Sequence, residues 1–472
     1  MQFARLETLF MRCILDCFNI QVSNHHQRVE MLRLIDYPRI SFLASALFVL
    51  CNSAYADGLK PLTEPMQGVP PTRASQVTLK NYRDYPKNRW AFRNAGAPLH
   101  VVMIPRAGAI HSFETAIKTS IGASLHLDKK GQQLSFDEIF EQNYADAVMV
   151  VQGNTLLHEN YFGDFTEHDQ HIWFSMTKSL VSSALGLLVA QGKVDLSESP
   201  VKYIPELKGS GFARVTIQNV LDHTSALSFK ENYTDLNSDF ARYYAPSLSM
   251  GWLPGAADAS PDDTEIYGAH DFLEHFVKAD LTIKPGESFD YNSTNADLLG
   301  WLIARISGQS LQQYLHANIW AKLGAEHDAT IAVDRAYMPV ATGGMNSTLR
   351  DAARFGMMIR DGGKFNGQQV IPQQWVDASL EISAKAKRNM AANKKYASDP
   401  WSAYHNMWWA LDAKAGEYCA VGIHGQVIYI NRSADTVMVW FSSQPSASAA
   451  NNPEFHSKLK AARELTAGLN RS

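Results

Sequence analysis

A chain of 472 residues is long enough for two domains or one large two-part domain. Its hydrophobic content of 46% and charged content of 19% are those of an ordinary globular protein, not of a disordered or fibrous one. Lys+Arg at 43 against Asp+Glu at 47 supplies no basic stripe for nucleic acid and no acidic tail.

Near the N-terminus, Arg33 and Arg39 precede an apolar run from Ile40 to Cys51, followed by Ala54-Tyr55-Ala56. A charged region, a short apolar core and an A-x-A site are the pattern of a secretory signal peptide. The expected working start is Met31, with cleavage after Ala56 and a periplasmic or secreted product. The run is too short to span a bilayer comfortably. Leu50 ahead of Cys51 does not fit a lipoprotein box. Cys13, Cys17 and Cys51 all precede the cleavage point, so a lone Cys419 leaves the mature chain without an internal disulfide.

Residues 57–100 are rich in proline and polar residues and are expected to form an extended wrapping segment, with Asn88-Arg89-Trp90-Ala91-Phe92 as its first apolar anchor. Ala147–Val151 and Leu156–Tyr161 flank Gly153-Asn154, a hairpin signal. His168, Asp169 and His171 crowd the next loop. No further ligands follow at a suitable spacing, so a solvated loop is expected and no metal.

The stretch Ile172–Leu180 holds Ser175-Met-Thr-Lys178 and opens an apolar helical pattern through Leu185 and Leu188 to a stop at Gly192. Residues three apart share a helix face, which sets the serine beside the lysine in the first turn. That turn carries unpaired N–H groups and the positive end of the helix dipole. A serine hydroxyl becomes nucleophilic when a neighbouring base takes its proton, and a desolvated lysine can be that base. Ser199…Lys202 and Ser457…Lys460 share the spacing, but the first contains Pro200 and the second lies in a polar tail. Only Ser175 opens a strongly apolar helix. By itself the pair reads either as an activated serine or as the cap of a core helix.

Further along, Val215–Leu221 reads as a helix ending in the polar turn Asp222-His223-Thr224-Ser225. Residues 229–270 show little periodicity, and their aromatics (Phe229, Tyr233, Tyr243, Tyr244, Trp252) favour a binding loop. Lys284-Pro285-Gly286-Glu287 makes a turn before Phe289-Asp290-Tyr291-Asn292-Ser293, and a helix then runs through Leu298, Leu302 and Ile306 to Gly308. Residues 310–380 look mainly helical, with breaks at Gly343-Gly344 and Gly362-Gly363. Val427–Ile430 and Val437–Phe441 are the clearest late strands, and 454–470 reads as a terminal helix. Strands, a long helical middle, then strands again suggest a sheet built from both chain ends with a helical region inserted.

Three stretches together resemble the serine β-lactamase and penicillin-binding-protein superfamily, in its class C-like esterase and amidase branch. Ser175-Met-Thr-Lys178 is similar to that family's Ser-x-x-Lys. Pro285-Gly-Glu-Ser-Phe-Asp-Tyr291-Asn-Ser293 resembles its Tyr-x-Asn element, with Ser293 where Asn is commoner. Val421-Gly-Ile423-His424-Gly-Gln426 lies where a Lys-Thr-Gly strand motif is expected. Within the superfamily the likeness is strongest to the 6-aminohexanoate-dimer hydrolases. It extends from Asn88 nearly to the C-terminus and includes Glu231-Asn-Tyr233, Asn295 with Asp297, and Trp408-Trp409.

The resemblance implies an α/β (α+β) fold of β-lactamase type, an antiparallel central sheet flanked by helices with a mainly helical insertion. Beyond the leader over 1–56 and the wrapping segment over 57–100, it implies one hydrolase domain over 101–472. The sheet would come from about 140–175 and 400–472, and the helical region from about 190–390. Ser175 would form an acyl-enzyme, with Lys178 and Tyr291 jointly moving its proton. The backbone N–H groups of Ser175 and Ile423 would form the oxyanion hole. Tyr233 would hydrogen-bond a scissile amide, Ser293 would bond the Lys178 amine or the substrate, and Trp409 would wall an acyl chain. His424 would support the site or cap its strand. No cofactor is implied, and the partner is a small amide or ester. Ala420-Val421-Gly422 replaces the Lys-Thr-Gly that holds a β-lactam carboxylate, a charge-assisted contact, so poor β-lactamase and DD-peptidase activity is expected. The competing readings are a short-chain carboxylesterase, a β-lactamase or DD-peptidase, and a binding protein without turnover.

Overall fold

The computed structural model describes residues 64–251, 253, 266–397, 399–448 and 452–469. The expected signal peptide, Cys13, Cys17, Cys51 and Trp252 lie outside the described residues. The chain divides into two units, Met1–Ser75 and Gln76–Ser472. In the first, residues 64–75 form turns closed on Ser75, whose carbonyl accepts from Met66 N–H at 2.8 Å and whose hydroxyl donates to Gln67 O at 3.1 Å. The second unit carries every candidate site residue.

Twelve strands build the two larger sheets of the second unit. They are β1 (Val101–Ile104), β2 (Glu114–Thr115), β3 (Ala145–Gln152), β4 (Thr155–Tyr161), β5 (His171–Ile172), β6 (Ala329–Ala332), β7 (Met345–Ser347), β8 (Ala403–His405), β9 (Trp408–Asp412), β10 (Glu417–Gly422), β11 (Gln426–Asn431) and β12 (Thr436–Ser442). The helices that bear on the site and its support are α1 (Lys87–Arg93), α2 (Phe136–Gln142), α3 (Thr177–Ala190), α4 (Thr294–Ser307), α5 (Leu349–Arg360) and α6 (Pro453–Leu469).

The large sheet has eight strands in the order β8-β9-β10-β11-β12-β3-β4-β2. Its pairings are antiparallel except at one edge, where β2 lies parallel to β4, so the sheet is mixed rather than wholly antiparallel. Its central strands do not alternate apolar with polar, and all seven residues of β12 are buried. Successive side chains in a strand point to opposite faces, so both faces must be covered. Trp440 meets Phe140 of α2 edge-on with centroids 5.5 Å apart, and Met438 Sδ lies 3.6 Å from Thr466 Oγ1 of α6. On the other face α5 comes so close that a Cβ on Gly356 would sit 2.7 Å from Val437 and 2.9 Å from Ile428. The result is three layers, helix–sheet–helix. Each fully buried large side chain contributes about 1.5–3 kcal/mol to holding them.

Three expectations change. The segment expected to be extended contains α1, because Asn88, Ala91 and Phe92 recur at helical spacing and are buried on one face. The stretch expected to be mainly helical, 310–380, contains β6 and β7, which join β1 and β5 in a second sheet of order β1-β6-β7-β5. These strands are four residues or fewer, too short to show a period, and β1 and β5 lie far away in sequence. The loop expected to be solvated is so only in part: His168 is exposed, but His171 is fully buried and stacks on Phe441 at 4.8 Å.

Candidate active site

From β5 the chain turns through Trp173 and one 3₁₀ turn, Phe174–Met176, into α3. The turn is sharp, and Phe174 takes a left-handed φ of 45°. Such a conformation costs a non-glycine residue energy and persists only where its surroundings fix it. Here Phe92 packs on the Phe174 ring at 4.9 Å and His424 at 5.5 Å. Most of α3 is buried, including Leu180, Val181, Ala184, Leu185 and Leu188, so the helix runs through the core and presents Ser175 at its entrance. Its Ser179 and Ser182 hydroxyls donate to the carbonyls of Met407 and Asn406 at 2.7 and 2.8 Å. That tie fixes the turn leading into β9 and Trp409.

Lys178 is 1% exposed. Its Nζ donates to Ser175 Oγ at 2.8 Å and to the Thr342 carbonyl at 2.9 Å. Burial pushes its pKa down to about 8, against the opposing pull of the Glu231 and Asp297 carboxylates. Asp297 on α4 is itself buried, and burial raises its carboxyl to about 7 despite donors from Tyr244 Oη and from Thr342 N–H, the latter at 2.9 Å. The Thr342 peptide therefore links lysine and aspartate, accepting from one and donating to the other.

Tyr291 lies just before α4, with its ring 5.0 Å from Lys178 Nζ, and it lines the cleft together with Ser175. Burial first, and then the Glu231 charge, raise its pKa well above the usual phenol value, which keeps the proton on the oxygen. Glu231, 8% exposed, is the polar hub. It accepts from the Tyr233 hydroxyl, from Ser293 N–H at 2.7 Å and from Ser293 Oγ at 3.0 Å.

These groups open on a cleft of about 170 Å³, lined by Ser175, Glu231, Tyr233 and Tyr291 together with Trp401, Trp409, Val421 and Ile423. Lys395 and Asp399 stand in its wall as well. Trp409 stacks on Tyr291 with centroids 5.5 Å apart and planes 17° apart. At the end of β10, a Cβ on Gly422 would lie 2.3 Å from the Trp173 carbonyl. Only glycine lets that strand end come so close to the Ser175 turn.

The structure thus brings together Ser175, Lys178, Tyr291, Tyr233, Trp409 and Ile423. It leaves two other candidates outside the cleft lining. Ser293 does not line the cleft, and its hydroxyl donates to Glu231 rather than meeting Lys178 or a substrate. His424 is 2% exposed behind the site, its ring between Phe92 and Phe174 and its Nδ1 2.6 Å from the Gln444 carbonyl. Burial lowers its pKa to about 3, so it is a neutral packing group that supports the Phe174 turn. Sequence reasoning assigned no role to Glu231, Asp297 or Thr342. A carboxylate inside an apolar helix face, as in Ala296-Asp297-Leu298-Leu299, was the available signal for one of them.

Comparison with known proteins finds relatives along most of the chain. The family model described as Beta-lactamase matches residues 136–462. A 6-aminohexanoate-dimer hydrolase of Paenarthrobacter ureafaciens is 32% identical over 378 residues, 80% of this chain and 90% of that protein. A Bacillus anthracis structure with the provisional name 6-aminohexanoate-dimer hydrolase superposes with a TM-score of 0.72 at 26% identity, over 84% of this chain and 97% of that one. A Beta-lactamase of Providencia stuartii is 27% identical over 154 residues, 32% of each chain.

Proposed function

Because the chain belongs to the beta-lactamase family and shares its fold, we propose that it is a serine hydrolase that opens small amides through an acyl-enzyme on Ser175. One observation carries the proposal: Ser175 Oγ sits 2.8 Å from a buried lysine amine whose pKa is pushed down to about 8, at the edge of an aromatic-walled cleft. Neutral Lys178 takes the Ser175 proton as Oγ bonds to the carbonyl carbon. The oxyanion that forms is held by preorganised donors, the backbone N–H groups of Ser175 and Ile423. As the C–N bond breaks, the leaving nitrogen takes the Tyr291 proton, and Tyr291 recovers one from the Lys178 ammonium. Water then cleaves the acyl-enzyme by the reverse route. The high pKa of Tyr291 and the low pKa of Lys178 suit these separate tasks.

The preference for amides rests on Tyr233. Its hydroxyl proton is given to Glu231, so toward the cleft its oxygen offers a lone pair. An amide N–H can donate to that oxygen, and an ester has nothing to donate. The relative matched along 90% of its length is a 6-aminohexanoate-dimer hydrolase, which supports a linear amide as substrate class. The charged and apolar run ending at Ala56 supports a secreted or periplasmic location.

The test is intact mass after brief exposure to a fluorophosphonate, for wild type and Ser175→Ala, followed by rates on 6-aminohexanoate dimer and p-nitrophenyl acetate. Labelling lost only in Ser175→Ala, with turnover of the dimer, is the expected result. A folded wild type that takes no label would sink the proposal and leave a binding protein.

A further inference from the structure

The polar turn Asp222-His223-Thr224-Ser225 has no part in the chemistry above, yet His223 is fully buried in an aromatic cluster beside the site. Its ring lies 4.7 Å from Tyr291, 4.9 Å from Tyr404 and 6.3 Å from Phe289, centroid to centroid. Its backbone takes a left-handed φ of 50°, strained for a residue with a side chain.

The hydrogen bonds around it give that strain a use. The His223 carbonyl accepts from Asp290 N–H at 2.9 Å, and the His223 Nδ1 accepts from Asn292 N–H at 2.9 Å. Tyr291 N–H, between them, donates to Tyr396 Oη at 2.9 Å. Three consecutive backbone N–H groups around the relay tyrosine are therefore held, two of them by one histidine. Trp409 and His223 flank the phenol ring itself.

A backbone N–H can only donate, so Nδ1 must be bare and the ring proton must sit on Nε2. There it faces Met407 Sδ at 3.0 Å, a weak acceptor that tolerates an N–H but does not favour a cation. An imidazolium would set two donors against each other at Nδ1, in a buried pocket that also adjoins the Lys178 ammonium. Burial and Lys178 act in that same direction, holding His223 well below the usual histidine pKa.

We propose that His223 is a positioning residue for catalysis, a permanently neutral Nε2–H imidazole whose Nδ1 and carbonyl clamp the backbone on both sides of Tyr291. It touches no substrate and moves no proton. The inference rests on the role of Tyr291 as the relay, since a displaced phenol would lose its alignment with Ser175 and Lys178.

The test compares His223→Leu with His223→Asn. Asparagine tolerates a left-handed φ and sets its Oδ1 where Nδ1 was. His223→Leu is expected to lower kcat about a hundredfold with KM nearly unchanged, as for a catalytic group displaced by an ångström. His223→Asn is expected to recover most of that loss. Equal losses in the two variants, or a loss confined to KM, would overturn the inference. Should His223→Leu fail to fold, nitrogen-15 spectra of the wild type decide, with His223→Asn assigning the signal. A neutral Nε2–H tautomer unchanged from pH 5 to pH 9 is expected, and a titrating ring or an Nδ1–H tautomer overturns it. Fluorophosphonate labelling separates the two levels: failed contrasts in a labelled wild type overturn the inference alone, whereas an unlabelled wild type overturns the serine-hydrolase reading and the inference with it.

Discussion

Among single residues, Lys178 sets the pH dependence on the proposed mechanism. It can take the Ser175 proton only when neutral, and burial lowers its pKa to about 8. The value of kcat/KM should therefore rise as pH passes through about 8. The limb belongs to the coupled lysine and aspartate rather than to either alone. Asp297 raises the lysine pKa, so Asp297→Asn should move the limb to lower pH, a shift that a pH–rate profile measures directly. A limb that stayed put or moved to higher pH would count against Lys178 as the base. Tyr233 makes a second prediction. Tyr233→Phe removes the proposed acceptor for the scissile N–H. It should slow amide cleavage about thirtyfold, the equivalent of about 2 kcal/mol for one charge-polarised hydrogen bond. Ester cleavage should change little, and equal losses on both substrates would remove the case for an amide-specific contact.

At the level of elements, the site exists because a strand end and a helix entrance meet within van der Waals distance. β10 stops at Gly422, against the Trp173 carbonyl that leads into the Ser175 turn. Gly422→Ala would force its Cβ into that carbonyl, 2.3 Å away, and the backbone cannot yield as a flexible side chain would. We expect a stability loss of about 1–3 kcal/mol from overpacking, visible as a lower Tm. Activity should fall further than stability explains, because Ile423 N–H would leave the oxyanion position, and a misplacement of about 1 Å can cost on the order of a hundredfold. A Gly422→Ala enzyme with normal kcat would show that β10 takes no part. α3 contributes rigidity of another kind. Its serines bond the carbonyls at 406 and 407, so the Trp409 wall is referenced to the same helix that carries Lys178.

Across the whole molecule, residues from both chain ends complete one sheet, with β12 paired to β3. Lys458 on α6 joins these regions. It is fully buried, and its Nζ donates to Ser442 Oγ at the end of β12 and to the Asn143 carbonyl after α2, each at 2.7 Å. Burial lowers its pKa to about 7, although Asp146 and Glu454 pull the other way. The folded value lies below the unfolded one, so unfolding takes up a proton between about pH 7 and the ordinary lysine value. Stability from this site is therefore least below pH 7 and grows as pH rises above it. Lys458→Met removes the titration. Measured as a difference in Tm, wild type should gain on Lys458→Met between pH 6 and pH 9, and a gap that was constant or moved the other way would contradict the assignment.

The sequence by itself determined what depends on neighbours along the chain. Ser175 and Lys178 are three apart, and the apolar run ending at Gly192 marks their helix as one for the core. Gly153-Asn154 makes the hairpin of β3 and β4, and Gly308, at φ 70°, ends α4. Gly422 was legible as a close approach, and the resemblance in three ordered stretches was enough to anticipate the fold. Only the tertiary structure decided what depends on distant residues meeting. β6 and β7 are too short to carry a period, and their partners β1 and β5 lie far upstream in sequence, beyond the reach of any local pattern. Ser293 and His424 sit beside the right motifs, yet their partners, Glu231 and the Gln444 carbonyl, come from elsewhere and turn them away from the cleft. The pKa of Lys178 and the fixed tautomer of His223 likewise follow from burial and from donors supplied across the fold. A residue's type limits what chemistry it can do, but the local dielectric and the hydrogen-bond partners that select among those possibilities are properties of the packed molecule.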